Sequence, residues 1–172
     1  GTVGLEKLGQ TWSRPTITKV RYGTEEKNVM IVGGGYDVAQ DDKTVRSVDG
    51  VGNAVFMFDA DTGDLLWSAS NSDATVNLEH MNYSIPARIS VIDRDNDGFA
   101  DHMYAADMGG QLFRFDIYNG ETGDNFVKGA RLADFGGDTA ETHRRFFYGP
   151  DVTEIALGDE LYYGVAIGSG WR

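Results

Sequence analysis

An all-β fold built from a repeated four-stranded antiparallel unit is what the sequence predicts, and three observations carry the prediction. Glycine takes 23 of 172 positions, about twice its usual share of ~7%, while proline takes only 3. Apolar residues alternate over short runs, and no long apolar segment of helical period interrupts them. The chain also repeats itself. Each proline opens a similar phrase, Pro15-Thr-Ile-Thr-Lys-Val20, Pro86-Ala-Arg-Ile-Ser-Val91 and Pro150-Asp-Val-Thr-Glu-Ile155, and the phrases lie 71 and 64 residues apart.

Proline is tolerated at the first residue of a strand, so each phrase predicts a strand. A second strand follows each time, at Asn28 to Val32, Asp101 to Ala106 and Leu161 to Ile167. All three run into small residues: Gly33-Gly34-Gly35, Asp107-Met108-Gly109-Gly110 and Gly168-Ser169-Gly170. Third strands are predicted at Ala54-Val-Phe-Met-Phe-Asp59 and Gln111-Leu-Phe-Arg-Phe-Asp116, each followed by a Thr-Gly turn, Thr62-Gly63 or Thr122-Gly123. Fourth strands follow at Asp64 to Ala69 and Phe126 to Ala133. Repeated four-stranded antiparallel units are the pattern of β-propeller blades, against which stands a sandwich with a coincidental repeat. The predicted first blade is 11–70 and the second is 84–135, while 148–172 form the first half of a third. Closed propellers have about 4–8 blades, so two and a half read as part of a longer propeller. Its unpaired strand edges invite self-association.

Composition narrows the function. A chain that is 41% hydrophobic and 12% aromatic is globular. Fifteen Lys and Arg against 27 Asp and Glu give a net charge of −12, which argues against nucleic acid as a partner and suits a protein that neutralises carboxylates with cations. The absence of cysteine removes disulfides, thiolate zinc sites and cysteine nucleophiles, without fixing the compartment. No 18-residue apolar run predicts a membrane-spanning helix, and residues 1–4 carry no signal-peptide pattern.

The sharpest motif is Asp93-Arg-Asp95-Asn-Asp97-Gly98-Phe99-Ala-Asp101. Carboxylates stand at loop positions 1, 3, 5 and 9, glycine at 6, and Phe99 offers its backbone carbonyl at 7. Calcium takes 6–8 oxygens at about 2.3–2.6 Å, and alternate residues of a tight loop can turn such oxygens inward. Magnesium rarely takes an all-protein cage. An EF-hand needs a bidentate glutamate at position 12, where this chain has Tyr104, and the flanks read as strands. The expectation is a hairpin calcium loop with Asp93, Asp95, Asp97, the Phe99 carbonyl and Asp101 as ligands. A solvated acidic turn is the plainer reading.

Other features carry less. Gly33-Gly34-Gly35 lacks the Lys-Ser/Thr of a phosphate loop and reads as a tight turn. The polar insertion from Tyr36 to Gly52, with Asp41-Asp42, reads as a mobile loop. His80, His102 and His143 have no metal-ligand spacing, and His102 is expected to face solvent. Thr142-His143-Arg144-Arg145 reads as a solvated basic loop. Trp12, Trp67 and Trp171 are expected to pack between blades. No serine, lysine or histidine stands in a recognisable nucleophile setting, and no catalytic residue is assigned.

Taken together, Leu8-Gly-Gln-Thr-Trp12-Ser-Arg-Pro15, Val32-Gly-Gly-Gly-Tyr36 and Val55-Phe-Met-Phe-Asp59 with Thr62-Gly63 resemble the PilY/PilC-type pilus-tip proteins. The acidic loop with Tyr104-Ala-Ala-Asp107-Met-Gly-Gly-Gln-Leu-Phe-Arg-Phe-Asp116 resembles them most closely, and so does Gly164-Val-Ala-Ile-Gly-Ser-Gly-Trp-Arg172. The resemblance spans nearly the whole chain. It implies a modified C-terminal β-propeller whose calcium loop is 93–101, and a cell-surface role without catalysis. That role comprises assembly of type IV pili, opposition to their retraction when calcium is bound, twitching motility and adhesion. The implied partners are pilin or other pilus components, with a host surface reached through regions absent here. Two departures are the missing N-terminal region and the incomplete propeller, and no Arg-Gly-Asp occurs. A second resemblance links Ala54 to Trp67 with the blade repeat of quinoprotein dehydrogenases. Their calcium does not sit in a contiguous Asp loop, and their vicinal cysteine pair is missing here.

Overall fold

The computed structural model describes residues 4–170, and its strands form three separate sheets. The first contains β1 (Thr16–Tyr22), β2 (Glu25–Gly33), β3 (Ala54–Asp59), β4 (Leu65–Ser70) and β5 (Val76–Asn77), in that order. The second contains β6 (Ser90–Ile92), β7 (His102–Ala106), β8 (Gln111–Ile117) and β9 (Val127–Asp134), again in order. The third is the hairpin of β10 (Asp151–Leu157) and β11 (Glu160–Ala166). All neighbours are antiparallel except β4 and β5, whose parallel pairing of Ala69 with Val76 was not anticipated. This architecture of antiparallel sheets that do not close among the described residues is that of an open β-propeller segment.

Alternation along each strand produces the core between the first two sheets. Met57 pairs with Ile31 on one side and Trp67 on the other, so three fully buried side chains form one row across β2, β3 and β4. From the second sheet, Met103 pairs with Phe115 and Ala105 with Phe113, all buried. Trp67 meets Phe115 edge to face with ring centroids 5.4 Å apart, joining the two sheets. Trp67 therefore packs between sheets as expected. Trp12 does not: it is 60% exposed and stacks on Tyr36 at 5.0 Å, and Trp171 lies outside the described residues. A smaller cluster of Ala106, Leu112 and Phe146 receives Val165 and Ile167 from the third sheet and its exit.

Pro86 to Ile89 is not strand. Ile85 donates to the Gly52 carbonyl and accepts from Gly35 N–H, and the Ile89 carbonyl accepts the Thr16 hydroxyl. This segment spends its polar groups crossing from the first sheet to the second. The glycine run makes that crossing possible, because a Cβ on Gly33 would collide with the Ile85 carbonyl oxygen.

The 36–52 insertion is not a mobile loop but a fastened strap. Asp37, Gln40 and Asp49 in it are buried. The Asp37 carboxylate accepts from Ala39 and Gly50 N–H, both at 2.9 Å, and Asp49 accepts from Ser84 N–H at 2.6 Å. Arg46 reaches Asp134 at 2.9 Å and Asp138 at 2.8 Å across the molecule. The basic segment 142–145 is solvated only in part: Thr142 and Arg144 are exposed, while His143 and Arg145 are buried, His143 between the Thr44 and Met108 carbonyls and Arg145 against the Gln40 carbonyl. Buried polar groups need partners, and backbone groups of the strap, Ser84 and Met108 supply them.

Candidate metal centre

The acidic loop joins β6 to β7, where the last ladder pair is Ile92 with His102. Its turns are written in the sequence. The Asp95 carboxylate accepts the Asp97 N–H at 3.2 Å, and that of Asp97 accepts the Phe99 N–H at 2.9 Å, which is what an aspartate two residues upstream does in a turn. The Asp93 carboxylate accepts the Gly98 N–H at 2.9 Å, and Asp101 accepts the Arg94 N–H at 2.7 Å, closing the loop from both ends. Asn96 and Gly98 take left-handed backbone at φ 59° and 91°. A Cβ on Gly98 would meet nothing within 4 Å, so the demand for glycine there is torsional.

These turns bring Asp93, Asp95 and Asp101 together, with one oxygen from each within 4.8 Å of the others. Two ligands on one calcium lie at most about 4.6–5.2 Å apart, so the trio fits a shared ion of that size. One Asp93 oxygen, Oδ1, is buried and has no hydrogen-bond partner among the described residues. An orphaned carboxylate oxygen inside an acidic cluster is suited to an absent cation. Asp97 stands apart from the trio, with Oδ2 3.7 Å from Nη1 of Arg21 on β1. The Phe99 ring is buried, and the Arg21 guanidinium lies 3.9 Å from its centroid.

The loop is seamed to the first sheet. Ala100 N–H donates to the Lys19 carbonyl at 2.8 Å, and the Asn119 amide bridges the Ala100 carbonyl to the Arg21 N–H. His102, expected in solvent, is buried, with Nδ1 2.8 Å from Asp116 and its ring edge-on to Tyr163 at 5.7 Å. The third sheet covers it, which no local pattern could announce. Burial holds its imidazole below the ordinary value of 6.5, Arg114 adds to this, and Asp116 opposes it. Sequence reasoning missed Arg21 as well, since its contacts in the loop, Asp97 and Phe99, lie 76 and 78 positions away in the chain. Among the described residues, no second carboxylate group of this kind includes Asp41 or Asp42.

Fold and loop together define a class: a β-propeller segment with an acidic loop between the first two strands of its second sheet. The sequence profile of the PilY1 beta-propeller domain matches residues 3–158, and the chain belongs to that family, a domain of type IV pilus proteins. This places it with pilus-associated proteins rather than with the quinoprotein dehydrogenases or any known enzyme family. The fold is similar to the crystal structure of the Pseudomonas aeruginosa PilY1 C-terminal domain, with a TM-score of 0.67 at 19% identity. That likeness covers 99% of this chain and 35% of the other, so the chain spans about a third of the solved domain. No curated protein matches the chain. No helix among the described residues is long and apolar enough to cross a membrane.

Proposed function

We propose that this chain is a calcium-binding segment of a type IV pilus assembly and adhesion protein. In this reading, occupancy of loop 93–101 modulates pilus extension and retraction, twitching motility and surface attachment. The observation that carries it is the convergence of Asp93, Asp95 and Asp101 around the partnerless, buried Asp93 Oδ1. Asp93, Asp95, Asp97, the Phe99 carbonyl and Asp101 would hold the ion. A bound calcium supplies two positive charges where four carboxylates otherwise repel one another. With that repulsion cancelled, the loop residues settle into one arrangement between β6 and β7, and the surface they present becomes a defined docking face. Occupancy then acts as a population shift of one segment.

Family membership supports pilin or another component of the pilus machinery as the partner, at the cell surface. A host surface would be engaged by parts of the protein outside this chain. Among the described residues the sheet β10–β11 pairs with no third strand, so it presents an edge that a strand of a second copy would complete. Calorimetric titration of the chelator-stripped chain with calcium tests the site, with Asp101→Ala as control. One saturable site, lost in the variant, is expected. A folded protein that takes up no calcium would leave the loop an acidic turn. In cells, a retraction response to calcium that survives Asp101→Ala would remove the regulatory half of the reading.

A further inference from the structure

We propose that Arg21 is a resident counter-ion that competes with calcium for Asp97, so that filling the loop releases an ion pair at the junction of the first two sheets. The inference rests on the calcium reading above and concerns how that site is regulated. Three of the loop's four carboxylates already face one another, while the fourth, Asp97, turns one oxygen to the Phe99 N–H and the other to Arg21. For Asp97 to join the others, its contact with Arg21 must be given up.

Arg21 is placed to allow that exchange without losing its position. Its guanidinium also rests on the Phe99 ring at 3.9 Å, a second contact beside that with Asp97. Its Nε also lies 4.0 Å from Glu26, the residue paired with Arg21 across β1 and β2, so a second carboxylate stands ready to take the charge. The Arg21 and Asp97 side chains are 45% and 39% exposed. A pair this exposed is weak enough to yield to a divalent ion, which a buried pair would not be. The backbone of Arg21 is meanwhile fixed, because its N–H donates to Asn119 and its carbonyl accepts from Gly120 at 2.9 Å. Only the side chain is free to change partner, at the seam where β1 meets loop 93–101 and the turn after β8. Arg21 therefore sets the calcium affinity from outside the loop and reports occupancy to the neighbouring sheet.

The test is calcium calorimetry at low ionic strength on the chain and on Arg21→Gln, Arg21→Lys, Asp97→Asn and the double variant Arg21→Gln/Asp97→Asn. Removing the competitor tightens binding about three- to fivefold in Arg21→Gln, the size expected of an exposed pair. Arg21→Lys keeps the charge and stays within about twofold of the unaltered chain. In the Asp97→Asn background the gain from Arg21→Gln shrinks to less than half, the signature of a direct contact in a double-mutant cycle. Binding that is unchanged or weaker in Arg21→Gln overturns the proposal, as does a gain undiminished in the Asp97→Asn background. Absence of binding in the unaltered chain would instead remove the calcium reading, and this inference with it. Should Arg21→Gln fail to fold, the unaltered chain decides: saturating calcium must move the Arg21 Nε–Hε resonance, and a resonance that stays in place overturns the proposal.

Discussion

Replacing Asp95 by asparagine should make the metal-free protein more stable and the calcium-loaded protein less so, an inversion of sign that a merely structural acidic turn would not produce. The substitution keeps the shape and the oxygen that accepts the Asp97 N–H, and removes only the charge. In the metal-free loop that charge faces those of Asp93 and Asp101, each with an oxygen within 4.8 Å. Two unit charges at that distance repel by about 0.9 kcal/mol even at the dielectric constant of water, and physiological salt with its ~8 Å Debye length roughly halves this. Two such pairs come to about 1 kcal/mol, or a melting temperature higher by about 2–4 °C for a chain of this length. With calcium the variant lacks one anionic ligand, and the stabilisation that ligand binding confers on the native state shrinks. Thermal unfolding followed by circular dichroism, in chelator and then in excess calcium, reads both arms. An Asp95→Asn protein no more stable in chelator, with the calcium increment of the unaltered chain, would refute the electrostatic reasoning.

Three further outcomes follow from the structure. Gly98→Ala meets no steric obstacle but must hold an L-residue at φ 91°, so it should cost about 1 kcal/mol or more in thermal unfolding and weaken calcium uptake, whereas free accommodation would leave both unchanged. Trp67→Ala empties the contact between the first two sheets and should cost about 3–5 kcal/mol, read as a lower urea midpoint at unchanged slope. Burial holds His143 below its ordinary value of 6.5, so the unfolded chain takes up the proton first as pH falls. Stability should therefore drop as pH falls below 6.5, and more in the unaltered chain than in His143→Gln. Parallel pH profiles of the two melting temperatures would contradict this.

Much of the fold was legible because strands are local. The stretch Ala54 to Asp59 is a short apolar run that ends in Asp-x-x-Thr-Gly, and it forms β3 with those bounds. Proline-led phrases marked the starts of β1 and β10, but in the second unit only its last residues, from Ser90, are strand. There the backbone of 85–89 is claimed by Gly35, Gly52 and Thr16, partners that no window along the chain contains. The two-residue β5 is too short to leave a pattern. Polarity misled in the strap 36–52 and in His143 and Arg145, since these polar side chains are buried against backbone N–H and carbonyl groups that satisfy them.

The sequence by itself determined the all-β class, the order of the strands and the spacing of the acidic loop, because alternation, turn residues and Asx turns act within a few residues of one another. The convergence of Asp93, Asp95 and Asp101 belongs to the same scale, being set by a glycine and the hydrogen bonds of one nine-residue loop. Tertiary structure alone decided what surrounds that loop. Arg21 reaches Asp97 and Phe99 from the other sheet, and Tyr163 from the third sheet helps cover His102. Charge and burial act through space, over distances that bear no relation to separation along the chain.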